Sequence, residues 1–309
     1  MKKLGIVVIL AMLLVWDTGC FKRKDYSAGK KVISEIESAK SISDPGERAS
    51  QLARLAVSQN ELLKDAKGAS LTISLADKAC GEITDPMARV GAYSSLSESY
   101  VKLGRSSGAR QALKKAKTAI EEMPESTSPE ERVEAFVGLA SAQGAVGGVN
   151  DATASLESAY ALIDKMESDI SKIDTMIKIA NGYCSMKVEA SRDEMFAKLI
   201  ETADASDNQR TRCDIYCRLA EIQYQNNLKE LADKTLKTAV EIVEKIDGLG
   251  AQAMTLCQIA QVCITANDKT QARTYVKDAD KRSGKEKDNS LRMAAQERVA
   301  DMKSKLDMQ

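Results

Sequence analysis

The sequence predicts an all-α fold of stacked helix pairs, an α-solenoid. The first observation is a recurring residue pair, a large aliphatic residue followed by a small one, at spacings of 41, 43, 40, 40 and 40 residues. The six pairs are Leu55-Ala56, Leu96-Ser97, Leu139-Ala140, Ile179-Ala180, Leu219-Ala220 and Ile259-Ala260. The second observation is the low proline content, four residues in 309. A fixed period near 40 is typical of repeats that stack in a row.

The recurring pair lies on the first helix of each repeat, helix A. We count offsets from the large aliphatic residue of the pair. Offset −3 is large and apolar in every repeat: Leu52, Tyr93, Phe136, Met176, Tyr216 and Leu256. Offsets −3, 0, +1 and +4 share one face of an α-helix, which predicts a buried face. Pro45, Pro86 and Pro129 follow Asp44, Asp85 and Ser128, and a proline after such a capping residue marks a helix start.

A turn and a second helix, helix B, follow in each repeat. Offset +8 carries Gly104, Gly147, Lys187, Asn227 and Asn267. Gly and Asn favour the left-handed conformation that ends helices. Ala109, Ala152, Ala232 and Ala272 at offset +13 begin the pattern of helix B. Apolar pairs at three-residue spacing then predict that helix B continues through Ile120-Met123, Ile163-Met166 and Val243-Ile246.

This order of residues resembles the tetratricopeptide repeat (TPR). The resemblance covers residues 44 to about 288, and HEAT and Sel1-like repeats are the alternatives at this period. It implies a right-handed α-solenoid of about six TPR-like helix-turn-helix repeats, with capping helices at both ends. The solenoid is expected over residues 30–309, with a leading helix at 30–42. The expected repeats are 44–84, 85–127, 128–168, 169–207, 208–247 and 248–288, and the C-terminal cap is 289–309.

The N-terminus has the pattern of an export signal. Lys2 and Lys3 precede thirteen apolar residues, Leu4 to Trp16, which is the length typical of a signal peptide. The following Gly19-Cys20 resembles the lipobox of bacterial lipoproteins, although Asp17 stands where that family prefers Leu. The resemblance implies a signal peptide over 1–19, a lipidated Cys20 and a short tether over 20–29. An ordinary signal peptide or an uncleaved membrane segment is the alternative.

Phe21 follows the cysteine where an Asp often marks inner-membrane retention. The resemblance therefore implies an exported protein, anchored at the periplasmic face of the outer membrane in a Gram-negative cell.

Composition argues against several classes of function. Lys plus Arg and Asp plus Glu are balanced at 45 each, and aromatic residues make up 4%, so no nucleic-acid partner is expected. The chain has no histidine, which removes imidazole chemistry. No phosphate-binding loop or nucleophile–base pair is found. We therefore expect no enzyme activity, no cofactor and no metal. The cysteines after Cys20 are expected to be buried thiols, with a disulfide or metal ligation as alternatives.

In TPR proteins the inner surface of helix A binds partners, and the resemblance places that surface at known offsets. The implied partner-binding residues are Glu98, Lys102, Glu134, Asp174, Asn181, Asp214, Arg218, Glu221, Gln225 and Gln261. The predicted function is a lipid-anchored scaffold or adaptor of the cell envelope that binds a protein or peptide. The alternatives are a carrier or sensor of a small molecule or glycan, and a self-assembling scaffold.

A basic residue recurs at offset −7: Arg48, Arg89, Arg132, Lys172 and Arg212. We expect these side chains to form salt bridges with the acidic end of the preceding helix B. A basic ladder for binding is the alternative.

Overall fold

The computed structural model describes the backbone of residues 19–307 and the side chains of residues 29–307. This part of the chain has fourteen α-helices and no β-strand, which confirms the all-α prediction. The helices are α1 Gly19–Lys40, α2 Pro45–Leu63, α3 Ala66–Gly81, α4 Pro86–Lys102, α5 Ser106–Glu121, α6 Pro129–Ala145, α7 Val149–Tyr160, α8 Asp169–Met186, α9 Glu189–Ala205, α10 Gln209–Gln225, α11 Lys229–Val243, α12 Leu249–Thr265, α13 Lys269–Ser283 and α14 Asn289–Lys305. A 3-10 helix, Ile163–Lys165, follows α7.

The predictions at the extreme N-terminus concern residues outside this description. The signal peptide and the side chain of Cys20 are not among the described parts of the chain. Within the described part, no helix combines the length and the apolar character that crossing a bilayer requires.

The described part of the chain divides into two compact units, one up to residue 155 and one from residue 156 onward, and we describe each by itself. In the N-terminal unit, α2 packs against α3 and α4, and α4 packs against α5 and α6. In the C-terminal unit, α10 packs against α11 and α12, and α12 packs against α13 and α14. In these examples a helix A contacts its own helix B and the next helix A of the same unit. This stacking of helix pairs confirms the predicted α-solenoid class.

The core follows the predicted offsets. The large aliphatic residue of all six recurring pairs is at most 2% exposed. The alanines at offset +13 are fully buried. Small side chains at these positions let neighbouring helices approach closely, while the larger aliphatic ones fill the space between them.

The predicted helix ends are also confirmed. The side chains of Asp44, Asp85 and Ser128 each accept a hydrogen bond from the backbone N–H three residues later. The residues at offset +8 of repeats two to six all have a positive φ, between 58° and 76°. Glycine and asparagine tolerate this conformation, whereas Lys187 adopts it with a less suitable side chain.

The prediction that helix B continues through Met123, Met166 and Ile246 is wrong, because each of these helices ends before that residue. Helices α5, α7 and α11 end at Glu121, Tyr160 and Val243. The chain then turns, and the apolar side chains beyond these ends are still buried, among them Met123 and Ile246. In both cases the N–H of that residue bonds the carbonyl three residues earlier, so a tight turn replaces a further α-helical turn. The longer period therefore comes largely from the connection between repeats.

The two terminal helices also differ from expectation. Helix α1 begins at Gly19, so the backbone of residues 20–29, expected to be a tether, is helical. It packs against α2 through Val32, Ile36 and Ala39, which are buried. At the other end, the many polar residues of α14 predict a solvated terminal helix, but α14 packs against both α12 and α13. Its buried residues include Met302 and Val299, which follows Ile259 by 40 residues.

Candidate binding surface on the C-terminal unit

Polar side chains on the helices A of the C-terminal unit are hydrogen-bonded from one repeat to the next. Arg218 Nη1 on α10 donates to Asp174 Oδ1 on α8 at 2.6 Å. Gln258 Nε2 on α12 donates to Asp214 Oδ1 on α10 at 2.5 Å. Arg218 Nη1 also lies 3.8 Å from Asp214 Oδ2. Four side chains from three helices thus form one connected network.

A second row of bonds runs beside the first. Thr265 Oγ1 on α12 donates to Glu221 Oε1 on α10 at 3.1 Å. Lys305 Nζ on α14 donates to Gln261 Oε1 on α12 at 3.3 Å. In both rows the bonded residues are 44 positions apart. The first row joins offset −5 to offset −1 of the next repeat, and the second joins +2 to +6. We call these eight residues the polar ladder.

A cavity of about 520 Å³ lies beside the polar ladder, between α10, α12 and α14. It is lined by Arg210, Met254, Thr255, Gln258, Ala294, Glu297, Arg298 and Asp301. Two of these side chains are cationic and two are anionic, and all four are exposed. Met254 and Ala294 add apolar surface. The cavity therefore offers charges of both signs next to the apolar surface of Met254 and Ala294.

The structure brings several of the predicted partner-binding residues together. Asp174, Asp214 and Arg218 form the first row of the polar ladder, and Glu221 and Gln261 belong to the second. These five residues therefore share one surface. That this surface binds a partner stays a prediction.

The other predicted residues do not join the polar ladder. Asn181 Oδ1 accepts a hydrogen bond from Asn226 Nδ2 at 3.2 Å, and Gln225 is exposed. Glu98, Lys102 and Glu134 lie on α4 and α6 of the N-terminal unit, where their side chains are exposed.

Sequence reasoning missed the contribution of α14. Glu297 and Asp301 line the cavity, and Lys305 belongs to the polar ladder. The signal was present, since Val299-Ala300 follows the last recurring pair by 40 residues. Counting from Val299 places Glu297, Asp301 and Lys305 at offsets −2, +2 and +6. Helix α14 is thus a seventh helix A, and its exposed residues continue the same surface.

The six cysteines after Cys20 are buried free thiols, as predicted. Burial raises the pKa of Cys184 and Cys257 to about 11, and of Cys80 and Cys263 to about 12. At neutral pH these groups are therefore protonated and poorly nucleophilic. Within residues 29–307, His, Cys, Asp and Glu side chains do not gather into any group of three or more that could hold a metal ion.

The basic residues at offset −7 form mostly different contacts from those expected. Arg212 pairs with Asp204 at the end of the preceding helix B, at 2.6 Å, as predicted. Arg48 instead pairs with Glu82 at the end of helix B of its own repeat, and Arg89 does the same in the next repeat. Arg132 donates hydrogen bonds to the backbone carbonyls of Met123 and Pro124. Lys172 pairs with Asp169 of its own helix. These side chains link helix ends, and most are partly buried.

Comparison with known proteins gives structural likeness only. No family model matches the chain, and no curated protein does. Similar solved structures include Ton1535 from Thermococcus onnurineus NA1, at 14% identity and a TM-score of 0.35, covering 87% of this chain and 83% of that chain. BtubC (BKLC) from P. vanneervenii is 17% identical, with a TM-score of 0.36 and coverage of 82% of this chain and 91% of that one.

A third similar structure is NprR in complex with its cognate peptide NprX, at 15% identity and a TM-score of 0.31. That match covers 83% of this chain and 72% of NprR. Because the TM-scores of all three are well below 0.5, the function of this chain has to be inferred from its own residues.

Proposed function

We propose that this chain is a non-enzymatic scaffold or adaptor that binds a protein or peptide segment on the helix-A surface of its C-terminal unit. The observation that carries the proposal is the polar ladder next to a cavity of about 520 Å³. The ladder spans α8, α10, α12 and α14, so the surface is long and continuous within this unit. Such a surface suits an extended or helical segment better than a compact ligand.

The hydrogen bonds of the polar ladder support binding by a preformed surface. Arg218 is held by Asp174 and Asp214, and Gln258 is held by Asp214. Side chains that are already fixed lose less conformational entropy when a partner binds. Each bond taken alone contributes little to stability, because exposed ion pairs are worth about 0–1 kcal/mol. Their more important effect is to set the positions of donors and acceptors for the partner.

The lining of the cavity favours a polypeptide over a small molecule. Small-molecule sites are mostly apolar and enclose their ligand. Here Arg210, Glu297, Arg298 and Asp301 are exposed, so the cavity is open to solvent and carries four charged side chains. A segment carrying charges of both signs, with one apolar residue near Met254, would match this lining.

The proposal includes a lipid anchor in the bacterial cell envelope. Its support is the signal-peptide pattern and the Gly19-Cys20 pair that resembles a lipobox. Replacing Cys20 by Ala should release the protein from the membrane fraction and change its electrophoretic mobility. An unchanged fractionation and mobility would contradict the anchor while leaving the binding surface untouched.

Site-specific photocrosslinking in the native cell envelope tests the binding surface. A crosslinking residue at Ala294 lies in the cavity, and one at Lys277 on α13 is the exposed control on a helix B. We expect a discrete protein adduct from position 294 and none from position 277. The double variant Glu297→Ala and Arg298→Ala should reduce the adduct severalfold. Equal adducts from both positions, or none from position 294, would contradict the proposal.

A further inference from the structure

Helix α5 in the N-terminal unit carries an uncompensated positive charge. Ser106–Glu121 includes one Arg, three Lys and a single acidic residue, Glu121 at its C-terminal end, in a chain whose total charges balance. Lys115 is neutralised by Asp77 at 2.7 Å. The side chains of Arg110, Lys114 and Lys117 form no ion pair with any residue that the structure describes.

The three unpaired cations share one face of α5 and line one cavity. They stand at i, i+4 and i+7, so they follow one another along the same side of the helix. A cavity of about 560 Å³ lies between this face and the turn that joins α6 to α7. Val146 on that turn is half-buried and faces the cavity, and Asp151 is the single acidic residue in its lining. We call this cavity with its three cations the basic groove.

Like charges at these spacings repel one another and destabilise the helix. An anionic ligand would relieve this repulsion and form charge-assisted hydrogen bonds with the guanidinium and ammonium groups. The concave shape and the apolar Val146 favour a ligand that reaches into the groove. A polypeptide segment with carboxylate side chains and an apolar residue has those properties, whereas a flat membrane surface does not reach into a cavity.

We propose that the basic groove binds an acidic segment of a partner protein. The groove involves α5 and α7, the helices B of their repeats, whereas the surface proposed above lies on helices A of the C-terminal unit. Its charge balance also differs, because three cations and one carboxylate line it, whereas the cavity of the C-terminal unit has two charges of each sign. The two proposals therefore rest on different residues and can fail separately.

Fluorescence anisotropy with the full chain in detergent tests the basic groove. The probe is a short labelled peptide rich in Glu with one Leu, and the comparison probe carries Lys in place of Glu. The triple variant Arg110→Gln, Lys114→Gln and Lys117→Gln keeps good helix formers and should weaken binding of the acidic probe about tenfold or more. Lys237→Gln is the matched control, because Lys237 occupies offset +18 on α11, as Lys114 does on α5.

A variant expected to tighten binding and an assay with anionic vesicles complete the test. Asp151→Asn should tighten binding of the acidic probe, because it removes the one anionic group of the groove. Binding should also weaken as salt is raised, since the charges are exposed. No binding of the acidic probe, or binding that the triple variant leaves unchanged, would overturn the proposal. Binding to anionic vesicles alone, lost in the triple variant, would overturn it in favour of a membrane surface.

Discussion

The N-terminal and C-terminal units place different side chains at the same positions of helix A. In the C-terminal unit, offsets −5 and +2 hold Asp214 and Gln261, which bond to offsets −1 and +6 of the next repeat. Between the second and third repeats, in the N-terminal unit, the first of these pairs corresponds to Gly91 and Gly138, and the second to Glu98 with Ala145. No bond of the same kind can form between these side chains.

Both units nevertheless stack their helices A. Their shared feature is the buried aliphatic residue of the recurring pair, which is at most 2% exposed throughout. The small residues of the N-terminal unit leave a cavity of about 240 Å³ between α2 and α4, lined by residues such as Ala49, Ala53 and Gly91. Stacking is thus a property of the core, and the polar ladder is a surface feature of the C-terminal unit.

The largest expected effects test whether the core is equivalent in the two units. Leu139→Ala and Leu219→Ala each remove a side chain that is 0% exposed. Each should lower the free energy of unfolding by about 2–5 kcal/mol, because a cavity replaces buried methyl groups. Chemical denaturation measures the loss, and Leu71→Ala, at a residue 66% exposed, is the control. A loss below about 1 kcal/mol for only one of them would show that the cores differ.

Replacing two buried glutamines at offset +4 by leucine should change the free energy of unfolding in opposite directions. Gln143 Oε1 accepts a hydrogen bond from Ser155 Oγ at 2.7 Å, and both residues are buried. Gln143→Leu should therefore cost about 1–3 kcal/mol, since Ser155 loses its partner. Gln223 in the C-terminal unit is fully buried, and its amide atoms have no hydrogen-bond partner in the described structure.

Gln223→Leu removes these unsatisfied atoms and should raise the free energy of unfolding by about 1 kcal/mol. Thermal and chemical denaturation of both variants give the comparison. If both glutamine variants destabilise the chain equally, the two sites do not differ as the structure describes them.

Two helix-A glycines provide a smaller test. A Cβ at Gly91 would meet nothing within 4 Å, whereas one at Gly182 would lie 2.8 Å from Leu156 Cδ1. Gly91→Ala should stabilise the chain by about 0.5–1 kcal/mol through its helix propensity. Gly182→Ala should be destabilising, because the fully buried Leu156 has to move. Stabilisation by both variants would indicate that Leu156 has room to adjust.

The smallest expected effect on stability comes from the polar ladder itself. Arg218→Gln removes the bond to Asp174 on a half-exposed surface and should change the free energy of unfolding by less than about 1 kcal/mol. The same variant should reduce crosslinking of a partner from position 294. A large loss of stability without any loss of crosslinking would show that the ladder is structural.

Periodicity predicted the repeats well because each offset has one physical role. The capping residues and the left-handed turn residues depend on local chemistry, so Ser128 and Asn227 could be recognised from the sequence. The end of helix B could not be predicted, because apolar residues three positions apart are buried equally well by a helix or by a turn. Met123 is an example, since it is buried although it lies in the turn after α5. Residue types identified polar surface positions but not their partners, which depend on how neighbouring helices are displaced along their axes.

The 44-residue separation in the polar ladder has a further consequence. With a period of 40 residues, it means that bonded residues are displaced by four positions, about 6 Å along the helix axis. Packed helices lie about 8–10 Å apart, so the four helices A of the C-terminal unit span about 24–30 Å from first to last. An extended chain advances about 3.3–3.6 Å per residue. The shortest extended ligand that touches every helix A of this unit is therefore about eight residues long, with roughly one contact for every third residue.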